Sequence, residues 1–128
     1  MRMRHVIGVV IAVVGICAMV GTAVPVTAHH AFAAEFDADS PVEFSGTVTK
    51  VEWVNPHVWI HLDVTRDDGT MEGWAFEAGT PNVLFRRGFT RDSLLPGTDV
   101  RVDGYQAKDG TNRANGRDIT FVDGTKLF

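Results

Sequence analysis

The chain has 128 residues, with 12 basic and 16 acidic side chains, a formal net charge of −4 and a single cysteine, Cys17. A mildly acidic chain without a basic stripe is a poor candidate for a nucleic-acid-binding protein, because contacts with phosphate dominate that affinity. One cysteine forms no internal disulfide, so the fold has to be held together by its hydrophobic core.

The N-terminal segment has the three parts of a secretory signal peptide. Arg2 and Arg4 form a positive start, residues 6–20 are apolar and uncharged, and residues 26–28 end the segment with Val-Thr-Ala. The apolar run is shorter than the roughly 20 residues that cross a bilayer as a helix, which favours a cleavable signal over an uncleaved membrane anchor. We therefore predict a signal peptide over residues 1–28, export to the periplasm, and a secreted domain with a formal charge of −6 and no membrane span.

Beyond the signal, the sequence predicts an extended lead-in followed by three strands. Residues 29–41 are polar and rich in alanine, and we expect them to form the lead-in. Residues 44–54 are rich in the valine, threonine and aromatic side chains that favour strands. Residues 57–65 alternate between apolar and polar side chains, which is the periodicity of a strand. An Asp-Asp-Gly turn then leads into a third strand over residues 71–78.

The second half predicts a short helix and two more strands. A Thr-Pro pair and a glycine are typical helix boundaries, and they enclose residues 82–87. Further strands are predicted over residues 99–107 and 115–122. Five strands with a helix between the third and the fourth is the order of the OB-fold. We therefore predict a mainly β fold, a small five-stranded OB-like β-barrel over residues 42–128, with a small sandwich as the alternative.

Four histidines of the predicted secreted domain are candidate metal ligands. Cleavage after Ala28 would make His29 the first residue, so that its α-amine and ring Nδ1 chelate one ion. One more imidazole completes the three-nitrogen histidine brace, which suits copper. We expect His57 to supply that imidazole, because it begins a strand beside a turn. His61 lies on the same face roughly 13 Å away, so it and His30 are expected to be auxiliary ligands.

The position of signal cleavage decides whether this metal site exists. Cleavage after Ala33 would remove His29 and His30, and cleavage after Ala23 would place them inside a tail. The alternative interpretation is that these two histidines form a solvated start of the chain. The histidines of the predicted second strand would then be half-buried surface residues without a metal.

Three tryptophans, Trp53, Trp59 and Trp74, fall on three successive predicted strands. Exposed together, they would form a platform on which a small molecule stacks. The alternative places Trp53 and Trp74 in the core and leaves Trp59 on a polar face with two histidines. In both cases the sequence predicts a patch around Trp59 that binds a small molecule or a partner protein, with Asn55 as a neighbouring candidate. Trp53 is a further candidate in the arrangement that exposes it.

The remaining charged residues do not predict an enzyme. No pair of carboxylates has a spacing that argues for acid–base catalysis, and the sequence contains no phosphate-binding loop or nucleophile motif. We therefore assign no catalytic residue and predict a binding protein, with a copper oxidase or oxygenase as the weaker alternative. Arg86, Arg87 and Arg91 cluster near the predicted helix end, where they are expected to meet the helix dipole and to pair with nearby acids. An anion site is the alternative for this cluster.

Several segments together form a pattern in which the Trp-x-Asn-Pro-His element is the most specific part. They are residues 29–37, 46–57, 74–77, 84–88 and 104–110. In these segments the chain resembles the exported bacterial proteins of domain-of-unknown-function family 6152, over nearly all of its length beyond the signal. The resemblance implies a secreted, periplasmic domain of a proteobacterial type. It supplies no function, because the family is uncharacterised, but it singles out His29, His30, Asn55 and His57 as motif positions.

Overall fold

The structure, a computed structural model, describes residues 26–127, with side chains described from residue 31 onward. The chain divides into two compact units, Met1–Ala34 and Glu35–Phe128. Most of the predicted signal peptide lies outside the described residues, and so do the side chains of His29 and His30. Within the described part of the chain, no helix is long and apolar enough to span a membrane.

The second unit is built from five strands and one short helix. The strands are β1 (Phe36–Glu52), β2 (Trp59–Thr65), β3 (Met71–Glu77), β4 (Asp99–Ala107) and β5 (Arg113–Phe121). They form one sheet that closes on itself in the order β1-β2-β3-β5-β4. Neighbouring strands are antiparallel except for β3 and β5, which are parallel. The prediction of a mainly β, five-stranded fold is confirmed.

The beginning of the described chain differs from the predicted lead-in. Residues 29–41, which were expected to be extended, are helical up to Glu35 and belong to β1 from Phe36 onward. The helix α1 spans Val26–Glu35. β1 starts earlier than predicted because its first half pairs with β4, from Phe36 opposite Ala107 to Thr47 opposite Asp99. Its second half pairs with β2. β1 therefore joins β2 to β4 and closes the ring. Its pairing with β4 makes the first half of β1 a strand, although the composition of that segment does not favour one.

The interior of the ring is filled by apolar side chains, and those of β2 follow the predicted alternation. Ile60, Leu62 and Val64 of β2 are buried, while the residues between them face outward. Trp74 and Phe76 of β3 are 3% and 0% exposed, and the Trp74 ring lies 6.1 Å from the Phe76 ring. Since burying a large apolar side chain contributes about 1.5–3 kcal/mol, this core is the main source of stability in a unit without disulfides.

The helix α2 (Pro81–Arg86) lies between β3 and β4 and matches the prediction within one residue. Thr80 is the N-cap residue and Pro81 begins the helix, although the Thr80 side chain makes no capping hydrogen bond. Gly88 adopts a φ of +85°, which lets the N–H of Phe89 donate to the Leu84 carbonyl at 2.9 Å. Leu84 and Phe89 are both 1% exposed, so they anchor this short helix to the core.

Candidate functional site

His57 lies in the loop between β1 and β2, just before the strand in which it was predicted. Its Nδ1 contacts the Oε1 oxygen of Glu77, the last residue of β3. Backbone hydrogen bonds hold the loop beside that strand end, because the N–H of Val58 donates to Gly79 at 3.1 Å and the N–H of Ala78 donates to Val58 at 2.8 Å. The local pairing of β2 with β3 therefore positions the imidazole against the carboxylate.

The environment of this pair is asymmetric. Glu77 is 8% exposed and is the single buried charged residue of the described chain, whereas the His57 side chain is 37% exposed. In a neutral imidazole whose Nδ1–H donates to a carboxylate, Nε2 carries the lone pair. Among the described side chains, Nε2 of His57 has no hydrogen-bond partner. Metal-binding histidines commonly have this arrangement, in which a carboxylate fixes the tautomer and the ring orientation.

His61 is engaged differently from His57. Its Nε2 lies 2.8 Å from Oε2 of Glu52, at the end of β1, and the other oxygen of Glu52 contacts Lys50. Hydrogen bonds from Lys50 and then from His61 hold the pKa of the Glu52 carboxyl below its usual range. The structure therefore pairs the two histidines with separate carboxylates and does not bring them together. Across the side chains of residues 31–127, no three His, Cys, Asp or Glu residues form a group that would hold a metal ion.

Trp59 begins β2 between the two histidines, and its half-buried ring has a cationic partner. The guanidinium carbon of Arg113, the first residue of β5, lies 4.6 Å from the centroid of the Trp59 ring. Ala75 of β3 lies between β2 and β5 at this point, because it pairs with His61 of β2 on one side and with Arg113 of β5 on the other. A small side chain at this position lets Arg113 reach the indole. We call His57, Trp59, His61, Glu77 and Arg113 the Trp59 face.

The three tryptophans do not form the common platform that was one of the expectations. Trp74 lies inside the ring, as the alternative predicted. Trp53 follows the end of β1 and stacks on Phe85 of α2, with ring centroids 4.9 Å apart. It is half-buried against the core and its contacts are with the helix region. Asn55 is exposed in the β1–β2 loop, where its peptide bond to Pro56 is cis.

Sequence reasoning missed the partners of the candidate residues. No motif or spacing in the sequence singles out Glu77, Glu52 or Arg113. One signal was available for Glu77, because counting residue pairs outward from the Asp-Asp-Gly turn places it opposite Trp59 and therefore next to His57. No comparable signal existed for Arg113, since the pairing of β3 with β5 spans a helix and another strand.

The comparison with known proteins gives a family and no function. No curated protein and no solved structure matches the chain. One family model matches residues 17–116, a span that includes every residue of the Trp59 face, and its description is a family of unknown function. This match confirms the family that the sequence motifs indicate. The chain belongs to the family of unknown function DUF6152.

Proposed function

We propose that the chain is an exported, periplasmic binding protein with an OB-like barrel that holds a copper ion, with His57 as the ligand supplied by the barrel. The observation that carries this proposal is the contact between Nδ1 of His57 and the buried carboxylate of Glu77. It leaves Nε2 as the nitrogen available to a metal.

The strand order supports the OB-like assignment. The sequence of neighbours β1-β2-β3-β5-β4, with α2 between β3 and β4, corresponds to the order of an OB barrel. OB barrels bind their ligands on the face around their second and third strands and at the loops beside it. The Trp59 face lies on β2, β3 and the start of β5, next to the β1–β2 loop that carries His57.

The remaining ligands are proposed from the sequence. Cleavage after Ala28 would give His29 a free α-amine, so that its amine and ring nitrogens join Nε2 of His57 in a three-nitrogen set. Such a set suits Cu(II), which prefers nitrogen ligands in tetragonal arrangements. His30 and His61 are auxiliary in this proposal, and His61 the more weakly so because Glu52 occupies its Nε2. We propose a metal carrier or accessory protein rather than an enzyme.

Titration of Cu(II) into the processed protein tests this proposal. Four proteins are compared: the processed chain, the same chain with one residue added before His29, His57→Ala, and His61→Ala. We expect the added residue and His57→Ala to weaken binding strongly. His61→Ala also replaces a histidine of the Trp59 face by alanine, and it should weaken Cu(II) binding less than His57→Ala does. Equal affinity with and without the added residue would overturn the role of His29, and equal losses for the two alanine variants would overturn the role of His57.

A second candidate function is metal-free binding of a small molecule or a partner protein on the Trp59 face. The contact of Arg113 with the half-buried Trp59 ring favours it, because the pair presents an aromatic surface and a cation at one place. Under this proposal, Trp59→Ala abolishes binding of the small molecule or partner protein, while His29→Ala has no effect on that binding. The opposite result would favour the metal site.

A further inference from the structure

Arg86, Arg87 and Arg91 differ from most other basic residues of the described chain. All three are exposed, and none forms an ion pair with a carboxylate of the described residues. The prediction that they pair with nearby acids is therefore wrong. Residues 78–91 contain no acidic side chain at all. By contrast, basic residues elsewhere on the fold pair with acids: Lys50, Arg66, Arg101, Arg117 and Lys126. In a chain with an excess of acids, these three unpaired cations leave one local region positive.

Apolar side chains are exposed beside these arginines. Phe85 is 45% exposed on α2, and its ring stacks on Trp53. Val54, the next residue of the β1–β2 loop, is 47% exposed. The guanidinium carbon of Arg91 lies 5.3 Å from the centroid of the Trp53 ring. We call Trp53, Val54, Phe85, Arg86, Arg87 and Arg91 the arginine patch.

The packing of α2 does not account for the exposure of Phe85. Leu84 and Phe89 already anchor this six-residue helix and are 1% exposed each. Phe85 therefore presents nearly half of its surface to solvent next to two unpaired arginines. Cations combined with exposed aromatic and aliphatic side chains are typical of surfaces that lie in the headgroup region of an anionic membrane.

We infer that the arginine patch binds the anionic headgroups of a lipid membrane, with Phe85 and Val54 entering the interface. The three arginines lie exposed within residues 86–91 rather than enclosed in a cavity, so they fit a surface of many anions better than a single buried one. Complementary charge also orients the molecule, because the acidic remainder of the chain is repelled by the same membrane. This inference is independent of the proposed copper site.

Cosedimentation with lipid vesicles tests the inference. The vesicles contain phosphatidylcholine alone or phosphatidylcholine mixed with phosphatidylglycerol. The test variant is R86Q/R87Q/R91Q, and the matched control R101Q/R117Q/K126Q removes the same charge from exposed, ion-paired positions. All comparisons are made between full-length chains, so that any contribution of the N-terminal apolar segment is common to them. Melting curves establish that each variant folds.

We expect the unsubstituted chain to prefer the anionic vesicles and to lose this preference at high salt, which screens exposed charges. The patch variant should bind them about 100-fold more weakly, because each arginine near an anionic surface strengthens binding by about fivefold. The control should change little, and Phe85→Ser should weaken binding without affecting its salt dependence. Equal losses for the two triple variants would overturn the inference. So would undiminished binding to neutral vesicles, or equally tight binding of soluble polyglutamate, which would indicate an acidic protein as the partner.

Discussion

The contact between His57 and Glu77 makes a quantitative prediction about stability. Glu77 is 8% exposed, so truncating its partner leaves a buried carboxylate without that contact. An unsatisfied buried polar group costs about 1–3 kcal/mol. Because more than a third of the His57 side chain is exposed, solvent screens part of this cost. We expect His57→Ala to lower the free energy of unfolding by about 1–2 kcal/mol, a figure taken from the lower part of that range.

A double-mutant cycle isolates the contribution of the contact. In a Glu77→Gln background the buried carboxylate is absent, so His57→Ala should cost less than about 0.5 kcal/mol and the coupling energy should be about 1 kcal/mol. Urea unfolding followed by tryptophan fluorescence measures all four proteins. Glu77→Gln should also weaken Cu(II) binding by about tenfold while leaving His57 in place, as expected for a residue that orients a metal ligand.

Two results would refute this reasoning. Additive effects of His57→Ala and Glu77→Gln on stability would mean that the contact has no energetic weight. Unchanged copper affinity in Glu77→Gln would show that the contact between Glu77 and His57 does not prepare His57 for metal binding, and this would overturn the proposed function. A control substitution at Glu52, which contacts the other histidine, should leave the coupling between His57 and Glu77 unaltered.

Three further predictions concern the fold. A Cβ at Gly104 would lie 2.2 Å from the Asn115 carbonyl oxygen, so Gly104→Ala should lower the free energy of unfolding by about 2 kcal/mol or more. Gly73 has open space around it, so Gly73→Ala should be neutral or slightly stabilising. Equal melting temperatures of the two variants would contradict this prediction. Phe76 is 0% exposed, so Phe76→Ala should lower the free energy of unfolding in urea by about 3–5 kcal/mol. A loss below about 1 kcal/mol would show that the core is not packed around this side chain. Two aspartates in turns have a lowered pKa, mainly because each accepts a hydrogen bond from a threonine hydroxyl and also because each accepts one from the backbone N–H of the same threonine. The stabilisation by these carboxylates is present above the ordinary aspartate pKa and is lost as the pH falls through the lowered value. These residues are Asp68 and Asp109. Replacing both by asparagine should flatten the fall in melting temperature in this acidic range, and an unchanged pH profile would contradict the assignment.

Much of the fold was predictable because the relevant signals are local. The alternation in β2 reports which side chains face the interior, and β4 was predicted with its observed bounds from the same pattern. Gly88 ended α2 as expected, because only a residue that tolerates a positive φ fits there. β1 was the main departure: its first half, with Pro41 and several acidic residues, has a composition that does not indicate a strand.

The sequence by itself determined the mainly β class of fold, the inward face of β2 and the candidacy of His57 and Trp59, since these depend on side-chain types and their spacing along the chain. Only the tertiary structure decided which residues meet. The ring closes because β1 pairs with β4 and β3 pairs with β5, and these contacts join segments far apart in sequence. The pairing of β3 with β5 places Arg113 over Trp59, whereas the pairing of β2 with β3 places Glu77 against His57. Periodicity encodes burial, whereas the partner of a buried or half-buried side chain depends on strand register, which no single segment specifies.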